Sequence, residues 1–314
     1  MNLLIGAATI GLILAPLALG VFISYRIYKI LDLTTDGSHG LGAAVVAALL
    51  VRQVNPLTAT LLGLVSGVIA GAITGTLHTR FRVSAMLAGV LTTTALYSVN
   101  LFVMGSGNVN LASADTLFTR AENLGRQLLG IPESLSIMGT TVGGGSFSAL
   151  VMTAVLAAAL AVGLTLFLAT DLGLALRAAG NNPAMAKALG IDVERMVVVG
   201  LGLSNGLIAL SGALFAQYSG FANIQMGIGA IVTGVATLMV GETLFGKRSS
   251  GDGSPVRWAV PSCSASVVAG AVRAGLNPNA LKLVTAIFVL AVLIVPGMMN
   301  RARARKAERA AHHA

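Results

Sequence analysis

The fold is decided by stretches such as MVVVGLGLSNGLIALSGALFAQY, residues 196–218, which contains no Asp, Glu, Lys or Arg. Its length matches the roughly 20 residues with which an α-helix crosses a hydrocarbon core about 30 Å thick. Similar apolar runs recur along the chain, and they lack the alternating pattern of a barrel strand. Because a chain in lipid must satisfy its own backbone hydrogen bonds, these runs predict membrane-spanning helices.

The composition supports the same fold class. Of the 314 residues, 55% are hydrophobic and only 10% are charged, whereas soluble domains carry about 25% charged residues. So few charges are insufficient for a surface that faces water. We therefore predict an all-α protein, a polytopic transmembrane helical bundle.

The apolar runs predict nine spans, with eight or ten as the alternatives. The predicted spans are 3–24, 37–54, 57–78, 84–104, 147–170, 196–218, 224–246, 259–276 and 280–298. Two connections between them are long, at 105–146 and 171–195. We expect one transmembrane domain over 1–300, followed by a basic tail at 301–314.

The basic residues predict an orientation, because cytoplasmic loops near the membrane carry an excess of Lys and Arg. Such residues collect in 171–195, in 247–258 and in the tail, and these three regions fall on one side of a nine-span arrangement. This predicts an N-terminus outside, a cytoplasmic C-terminus, an extracytoplasmic 105–146 loop and a cytoplasmic 171–195 loop. The net charge of +9 then sets orientation, and no nucleic-acid partner is expected.

The cytoplasmic connection contains a complete set of helix boundary signals in DLGLALRAAGNNPAMAKALGID, residues 171–192. Asn182 is a favoured N-cap, Pro183 suits the first helical position and Gly190 suits a left-handed C-terminal stop. A short, sharply bounded helix follows from this pattern. With Arg177 and Lys187 beside it, this helix is either a rigid knob for a soluble motor or an ordinary structured loop.

Two stretches carry a resemblance to a known family. GLALRAAGNNPAMAKALGI (173–191) resembles the cytoplasmic coupling loop of permease subunits in ATP-binding cassette importers of the branched-chain amino acid and ribose type. LDLTTDGS (31–38) is similar to the stretch after the first core helix of that class, and with GVFISYR (20–26) it looks closest to a subgroup linked to aromatic amino acid uptake. The resemblance covers roughly residues 10–298.

The resemblance implies a permease in a bacterial inner membrane that forms the path for a small solute. It implies three protein partners: a cytoplasmic ATPase, an extracytoplasmic substrate-binding protein and a second permease copy, identical or different. The residues that it implies for coupling, with Lys187 added for its charge, are Arg177, Gly180, Asn182, Pro183, Ala186 and Gly190. The residues that it implies near the translocation path are Asp32, Thr34, Asp36 and Ser38.

Polar residues inside the predicted spans extend this candidate path to Thr93, Asn205 and Thr233. The amide of Asn205 could pair with both ends of a zwitterion. The stretch 31–38 has two interpretations. It is a cytoplasmic turn with solvated charges, or a broken helix whose irregular backbone lines a cavity within the bundle.

Small residues predict how the helices pack. Gly67, Gly71 and Gly75 recur on one helical face and predict a close approach to another helix. In addition, residues 63–70 echo residues 202–209, three spans later. This similarity indicates an inverted repeat, as in many transporters, or arises by chance in a chain with 38 Gly.

The long outer loop contains one helical signal. Leu117, Phe118 and Leu124 have roughly helical spacing among polar residues, and Leu128 and Leu129 continue it. An amphipathic segment that lies on the membrane surface is expected here.

Two other function classes compete with this one: an ion-gradient-driven secondary transporter or channel, and a membrane enzyme or structural assembly subunit. The predicted span interiors hold almost no ionisable residues for ion coupling, and no catalytic group, metal site or cofactor site is evident. GETLFGKR (241–248) has Arg where a phosphate-binding loop needs Ser or Thr, so the chain lacks a nucleotide site. An external motor is therefore favoured, while the substrate could be an amino acid, a sugar or a nucleoside.

Overall fold

The structure is a computed structural model that describes residues 2–129, 134–137 and 140–245. The spans predicted at 259–276 and 280–298 and the basic tail at 301–314 lie outside the described residues. Within the described part, eleven α-helices and two short strand pairs follow one another. The helices are α1 (Asn2–Ile13), α2 (Ala15–Val21), α3 (Thr34–Val51), α4 (Pro56–Thr79), α5 (Ala85–Met104), α6 (Leu117–Leu129), α7 (Gly144–Ala169), α8 (Asp171–Asn181), α9 (Pro183–Ala188), α10 (Val193–Ser219) and α11 (Ala230–Phe245).

Five helical stretches of the described part are long and apolar enough to cross a membrane. They are Ala8–Ile27, Pro56–Thr79, Ala85–Met104, Gly144–Ala169 and Val193–Ser219. Each coincides with a predicted span, so the all-α polytopic fold is confirmed. The first of them, called the first span below, ends in a π-helical turn at Phe22–Ile27.

The other two predicted spans within the described part are helical, but their starts are shifted. The helix predicted at 37–54 is α3, which begins at Thr34. The helix predicted at 224–246 is α11, which begins only at Ala230, because residues 220–229 form a strand and turns instead. The strand there, β4 (Phe221–Asn223), pairs antiparallel with β1 (Asn108–Asn110). A second antiparallel pair, β2 (Ser134–Ile137) and β3 (Thr140–Gly143), lies between α6 and α7.

Helix α10 is the centre of the bundle and packs against α4 through glycines. A Cβ atom on Gly67, Gly71 or Gly75 would overlap atoms of α10, so the predicted close approach is confirmed. Gly67 faces Asn205 while Gly75 faces Val198, which shows that the two helices are antiparallel. The two halves of the echoed sequence therefore run in opposite directions, as an inverted repeat requires.

The outer helices α5 and α7 present apolar side chains to their surroundings. Phe102 on α5 has 87% of its surface exposed, and Val155 and Leu166 on α7 are exposed as well. Apolar side chains exposed over a long helix match a lipid environment, where contact with hydrocarbon carries no penalty.

Different helices lie at the two ends of α10. At its C-terminal end, Gln217 binds the backbone N–H of Leu117 at 3.0 Å and the hydroxyl of Thr60 at 2.9 Å, which joins α6 to α10 and α4. At its N-terminal end lie α8 and α9. Because α10 has 27 residues, these two ends are about 40 Å apart at 1.5 Å per residue.

Candidate functional site

The chain is irregular between the first span and α3, and this break enters the bundle at Asp32. Lys29 has a left-handed backbone with φ of 57°, and regular helix resumes only at Thr34. Asp32 within the break has 2% of its surface exposed. The burial of Asp32 argues against a turn with solvated charges and favours the broken-helix interpretation of 31–38.

The carboxylate of Asp32 is held by Asn205. The Asn205 side-chain amide donates to one Asp32 oxygen at 2.6 Å, and the backbone N–H of Thr34 donates to the other at 2.9 Å. The Asn205 carbonyl oxygen accepts from the hydroxyl of Ser38 at 2.7 Å. These four residues, all buried, are called the Asp32 cluster below.

The position of Asn205 on α10 gives the depth of the Asp32 cluster. Val193 and Ser219 bound this helix, so Asn205 lies about 18 Å from its start and about 21 Å from its end at 1.5 Å per residue. The cluster therefore lies near the middle of a membrane-spanning helix. An irregular segment at this depth is tolerated where protein surrounds it.

Hydroxyl groups continue the polar region toward α4 and α5. The hydroxyl of Thr34 lies 2.9 Å from that of Thr74 on α4, which in turn lies 3.0 Å from that of Thr92 on α5. Thr93 donates to the carbonyl oxygen of Leu33 at 2.7 Å. The start of α3 is thus bound on three sides, by α4, α5 and α10.

Asp36, which was expected near the translocation path, binds backbone N–H groups at the start of α11. One of its carboxylate oxygens accepts from the N–H of Gly229 at 3.1 Å and the other from the N–H of Ile231 at 2.9 Å. Asp36 therefore caps the N-terminus of α11, where a negative charge is favourable. Thr233, one turn further along α11, donates to the carbonyl oxygen of Gly229 at 3.1 Å.

His39 also lies in the interior, where the sequence analysis expected almost no ionisable groups. It is buried beside Phe215, with 6.2 Å between the ring centroids, and neither ring nitrogen has a hydrogen-bond partner. Together with Asp32, it shows that the interior does contain ionisable side chains. A lack of ionisable side chains in the interior is therefore no longer an argument against ion coupling.

The predicted short helix in the 171–195 segment is confirmed as α9. The Asn182 side chain accepts from the N–H of Met185 at 3.1 Å, Pro183 is the first helical residue, and Gly190 has φ of 83°. One helix was missed, α8, although Thr170 caps it by accepting from Gly173 at 3.3 Å. A Thr before an apolar helical pattern is a signal that could have predicted it.

Helix α9 has one buried and one exposed face. Ala186 is buried in an apolar cluster with Ile27 and Tyr28 of the π-helical end of the first span. Met185 and Leu189 have 59% and 68% of their surfaces exposed. The remaining candidate coupling residues divide in the same way: Gly180 and Arg177 are half-buried, while Asn182, Pro183, Lys187 and Gly190 are exposed.

The candidate residues therefore form two groups. The path candidates surround the start of α3 (Asp32, Thr34, Ser38, Thr93 and Asn205) and the adjoining start of α11 (Asp36 and Thr233). The coupling candidates lie at the N-terminal end of α10. Sequence analysis missed Thr74 and Tyr28. Thr74 could have been found because it stands beside Gly75 on the closely packed face of α4.

A pocket of about 300 Å³ lies at the other end of α10. It is bordered by Phe118 and Glu122 of α6, Ser146 of α7, and Gln217 and Tyr218 of α10. The expected amphipathic helix, α6, is present and covers this pocket. Its Leu117 and Phe118 pack on the bundle while Leu124 is 54% exposed.

Comparison with known proteins identifies the family. Residues 3–295 match the family described as branched-chain amino acid transport system, permease component. The chain is 36% identical over 302 residues to a tyrosine transport system permease protein of Clostridioides difficile (strain R20291), covering 93% of this chain and 91% of that protein. It is 26% identical to the ribose import permease protein of Escherichia coli (strain K12), covering 68% and 61%.

A third similarity is to an autoinducer 2 import system permease protein of Salmonella paratyphi B, 26% identical over 67% of this chain and 55% of that protein. No solved structure matches the chain. The family match over nearly the whole chain agrees with the spanning helices and with the resemblance carried by 31–38 and 173–191. The chain therefore belongs to the branched-chain amino acid transport system permease family, and it is a multi-pass membrane permease subunit of an ATP-binding cassette importer.

Proposed function

We propose that this permease forms the path by which an amino acid or a related small solute enters a bacterial cell across the inner membrane. A separate cytoplasmic ATPase provides the energy by docking on the 171–195 segment. The observation that carries the proposal is helix α9, whose capped ends make it rigid and whose exposed Met185 and Leu189 offer an apolar contact surface.

The path runs past the start of α3. A helix that begins inside the bundle points the positive end of its dipole at that depth. Asp32 and Asn205 add a carboxylate and an amide there, which bind each other in this structure. Once separated, they would offer a complementary group to each charge of an amino acid zwitterion. Thr34, Ser38 and Thr93 add hydroxyls, and Asp36 and Thr233 position the neighbouring start of α11. The similarity to a permease of a tyrosine transport system supports an amino acid as substrate.

The partners follow from the importer family. The ATPase contacts Arg177, Gly180, Asn182, Pro183, Ala186, Lys187 and Gly190 or the surface that these residues shape. A second permease copy completes the path, and an extracytoplasmic binding protein delivers the solute to the side of the membrane where α6 lies. In this arrangement the N-terminus is outside, the 105–146 loop is extracytoplasmic and the C-terminal tail is cytoplasmic.

The docking proposal is tested by co-purification of the ATPase with the permease in detergent. Met185→Glu places a charge on the exposed face of α9, and we expect it to lower the recovered ATPase roughly 10-fold or more, as loss of a central interface contact does. The control, Leu124→Glu, places the same charge on an exposed leucine at the opposite end of the molecule. Equal recovery of the ATPase with both variants would contradict the docking site.

The energy source is tested by uptake into proteoliposomes that contain the permease and its ATPase. We expect uptake only with ATP and with the loaded binding protein. Uptake that follows an ion gradient without ATP would instead support the secondary-transporter alternative.

A further inference from the structure

The π-helical end of the first span connects the two groups of candidate residues. This inference rests on the proposed function, since it assumes that α8 and α9 move when the ATPase works. The connection begins at Gly180 of α8, where an added Cβ would overlap the carbonyl oxygen of Ile27. Backbone therefore packs directly on backbone, so a shift of α8 is passed to the end of the first span without side chains in between.

Tyr28, the next residue, joins this end to α10 in two ways. Its hydroxyl donates to the carbonyl oxygen of Met196. Its ring fills the space left by Gly200, where an added Cβ would overlap the ring atoms. Tyr28 is largely buried.

The chain is irregular immediately after Tyr28. The π-helix at Phe22–Ile27 precedes it, and Lys29 then takes a left-handed backbone that residues other than Gly adopt uncommonly. Four residues after Tyr28 comes Asp32, which binds Asn205 on the same helix α10 that Tyr28 contacts. The segment 28–32 is therefore tied to α10 at both ends, at Met196 by Tyr28 and at Asn205 by Asp32.

This geometry has a mechanical consequence. π-Helical turns and irregular backbone absorb changes of dihedral angle that a regular helix resists. A movement of α8 that shifts Ile27 would be lost in such a segment unless a rigid contact followed it. Tyr28 is that contact, because its hydroxyl binds Met196 and its ring packs against Gly200. The regular helix α10 then carries the movement on to Asn205.

We infer that Tyr28 is a positioning residue that transmits movement of the α8–α9 segment to the Asp32 cluster, and so couples ATP hydrolysis to opening of the path. Tyr28 itself does not contact the solute. When the Tyr28 contact is lost, the ATPase stays docked and active, but its movement is passed less completely to the Asp32 cluster.

The test compares Tyr28→Phe with wild type in proteoliposomes that contain the ATPase and receive the loaded binding protein. Solute uptake and ATP hydrolysis are measured on the same preparation. Tyr28→Phe keeps the ring but removes the hydroxyl, and we expect the number of solutes moved per ATP to fall roughly 3- to 10-fold, the range that one lost hydrogen bond supports. The matched control is Tyr25→Phe, three residues earlier and within the π-helix that ends before Tyr28, which should keep the wild-type ratio.

A purely structural role for Tyr28 has a different signature. It would lower uptake and hydrolysis together, in proportion to the folded complex, so an unchanged ratio in Tyr28→Phe overturns the inference. Tyr28→Ala also removes the ring that packs against Gly200. It should lower the number of solutes moved per ATP further than Tyr28→Phe does. If wild type shows no ATP-driven uptake, the proposed function itself fails. If wild type and Tyr28→Phe move the same number of solutes per ATP, only the role of Tyr28 is refuted.

Discussion

Asp32 illustrates how single residues are stabilised in this interior. A carboxylate away from water is costly unless hydrogen bonds compensate for its lost hydration. Asn205 and the backbone of Thr34 donate those bonds at 2.6 and 2.9 Å, and Ser38 orients the Asn205 amide through its carbonyl oxygen. The amide of Asn205 is thus fixed by partners on both of its ends.

The first prediction concerns this pairing. Asn205→Leu removes a donor and leaves one carboxylate oxygen of Asp32 buried without it, so we expect a loss of about 1–3 kcal/mol in stability. Ser38→Ala, which removes only the orienting hydroxyl, should cost about 1 kcal/mol. Thermal unfolding in detergent measures both. An Asn205→Leu variant as stable as wild type would show that the pairing contributes nothing.

At the scale of elements, local signals were read correctly and distant ones were not. Helix α9 was predicted from Asn182, Pro183 and Gly190 because each acts on its own or the next few backbone groups. The start of α11 was placed six residues early, since the cap that defines it is Asp36 on another helix. Hydropathy alone does not report a cap that comes from far along the chain.

The second prediction tests the glycine face of α4. Gly71→Leu inserts a side chain where even a Cβ would overlap Leu201 of α10, and overpacking of this kind typically costs about 1–3 kcal/mol or more. We expect little folded protein after purification, measured as the monodisperse fraction on size exclusion. Gly163→Leu is the matched control, because nothing lies within 4 Å of its added Cβ. Equal yields from both variants would refute the close packing of α4 and α10.

The third prediction tests the boundaries of α9. Asn182→Ala removes the cap on Met185 and should weaken the helix by about 1 kcal/mol. The φ of 83° at Gly190 makes Gly190→Ala unfavourable by a similar amount, about 1–2 kcal/mol. Amide hydrogen exchange in 184–189 should speed up several-fold in either variant. Asn181→Ala, the neighbouring asparagine, should leave this exchange unchanged; faster exchange there would argue against Asn182 as the specific cap.

At the scale of the whole molecule, the sequence predicted the fold class and five of the membrane-spanning helices because hydropathy is a property of contiguous residues. For the candidate site, the sequence predicted residues but not their contacts with one another. That Asp32, Ser38 and Asn205 belong together depends on α3 lying against α10, a contact between residues far apart in sequence. Tyr28 was missed for the same reason, since its importance arises from its partners.

The fourth prediction concerns orientation in the membrane. The sequence has one cysteine, Cys263, so Cys263→Ser gives a background without reactive thiols. In that background we expect Leu124→Cys, on α6, to react with an impermeant maleimide in intact spheroplasts. Lys187→Cys, on α9, should react only after the membrane is permeabilised. Labelling of position 187 in intact spheroplasts would place the coupling segment outside and refute the proposed orientation.

The partnership of Asp32 with Asn205 also governs how the protein is made. The two residues are 173 positions apart, so a ribosome that adds about 5–20 residues per second needs roughly 9–35 s to supply the partner. During that interval the nascent chain has a carboxylate and several hydroxyls with no finished neighbour to receive them. Until Asn205 is made, only the backbone N–H of Thr34 is at hand for the carboxylate of Asp32, so a chain truncated before α10 leaves one oxygen of this carboxylate without its donor.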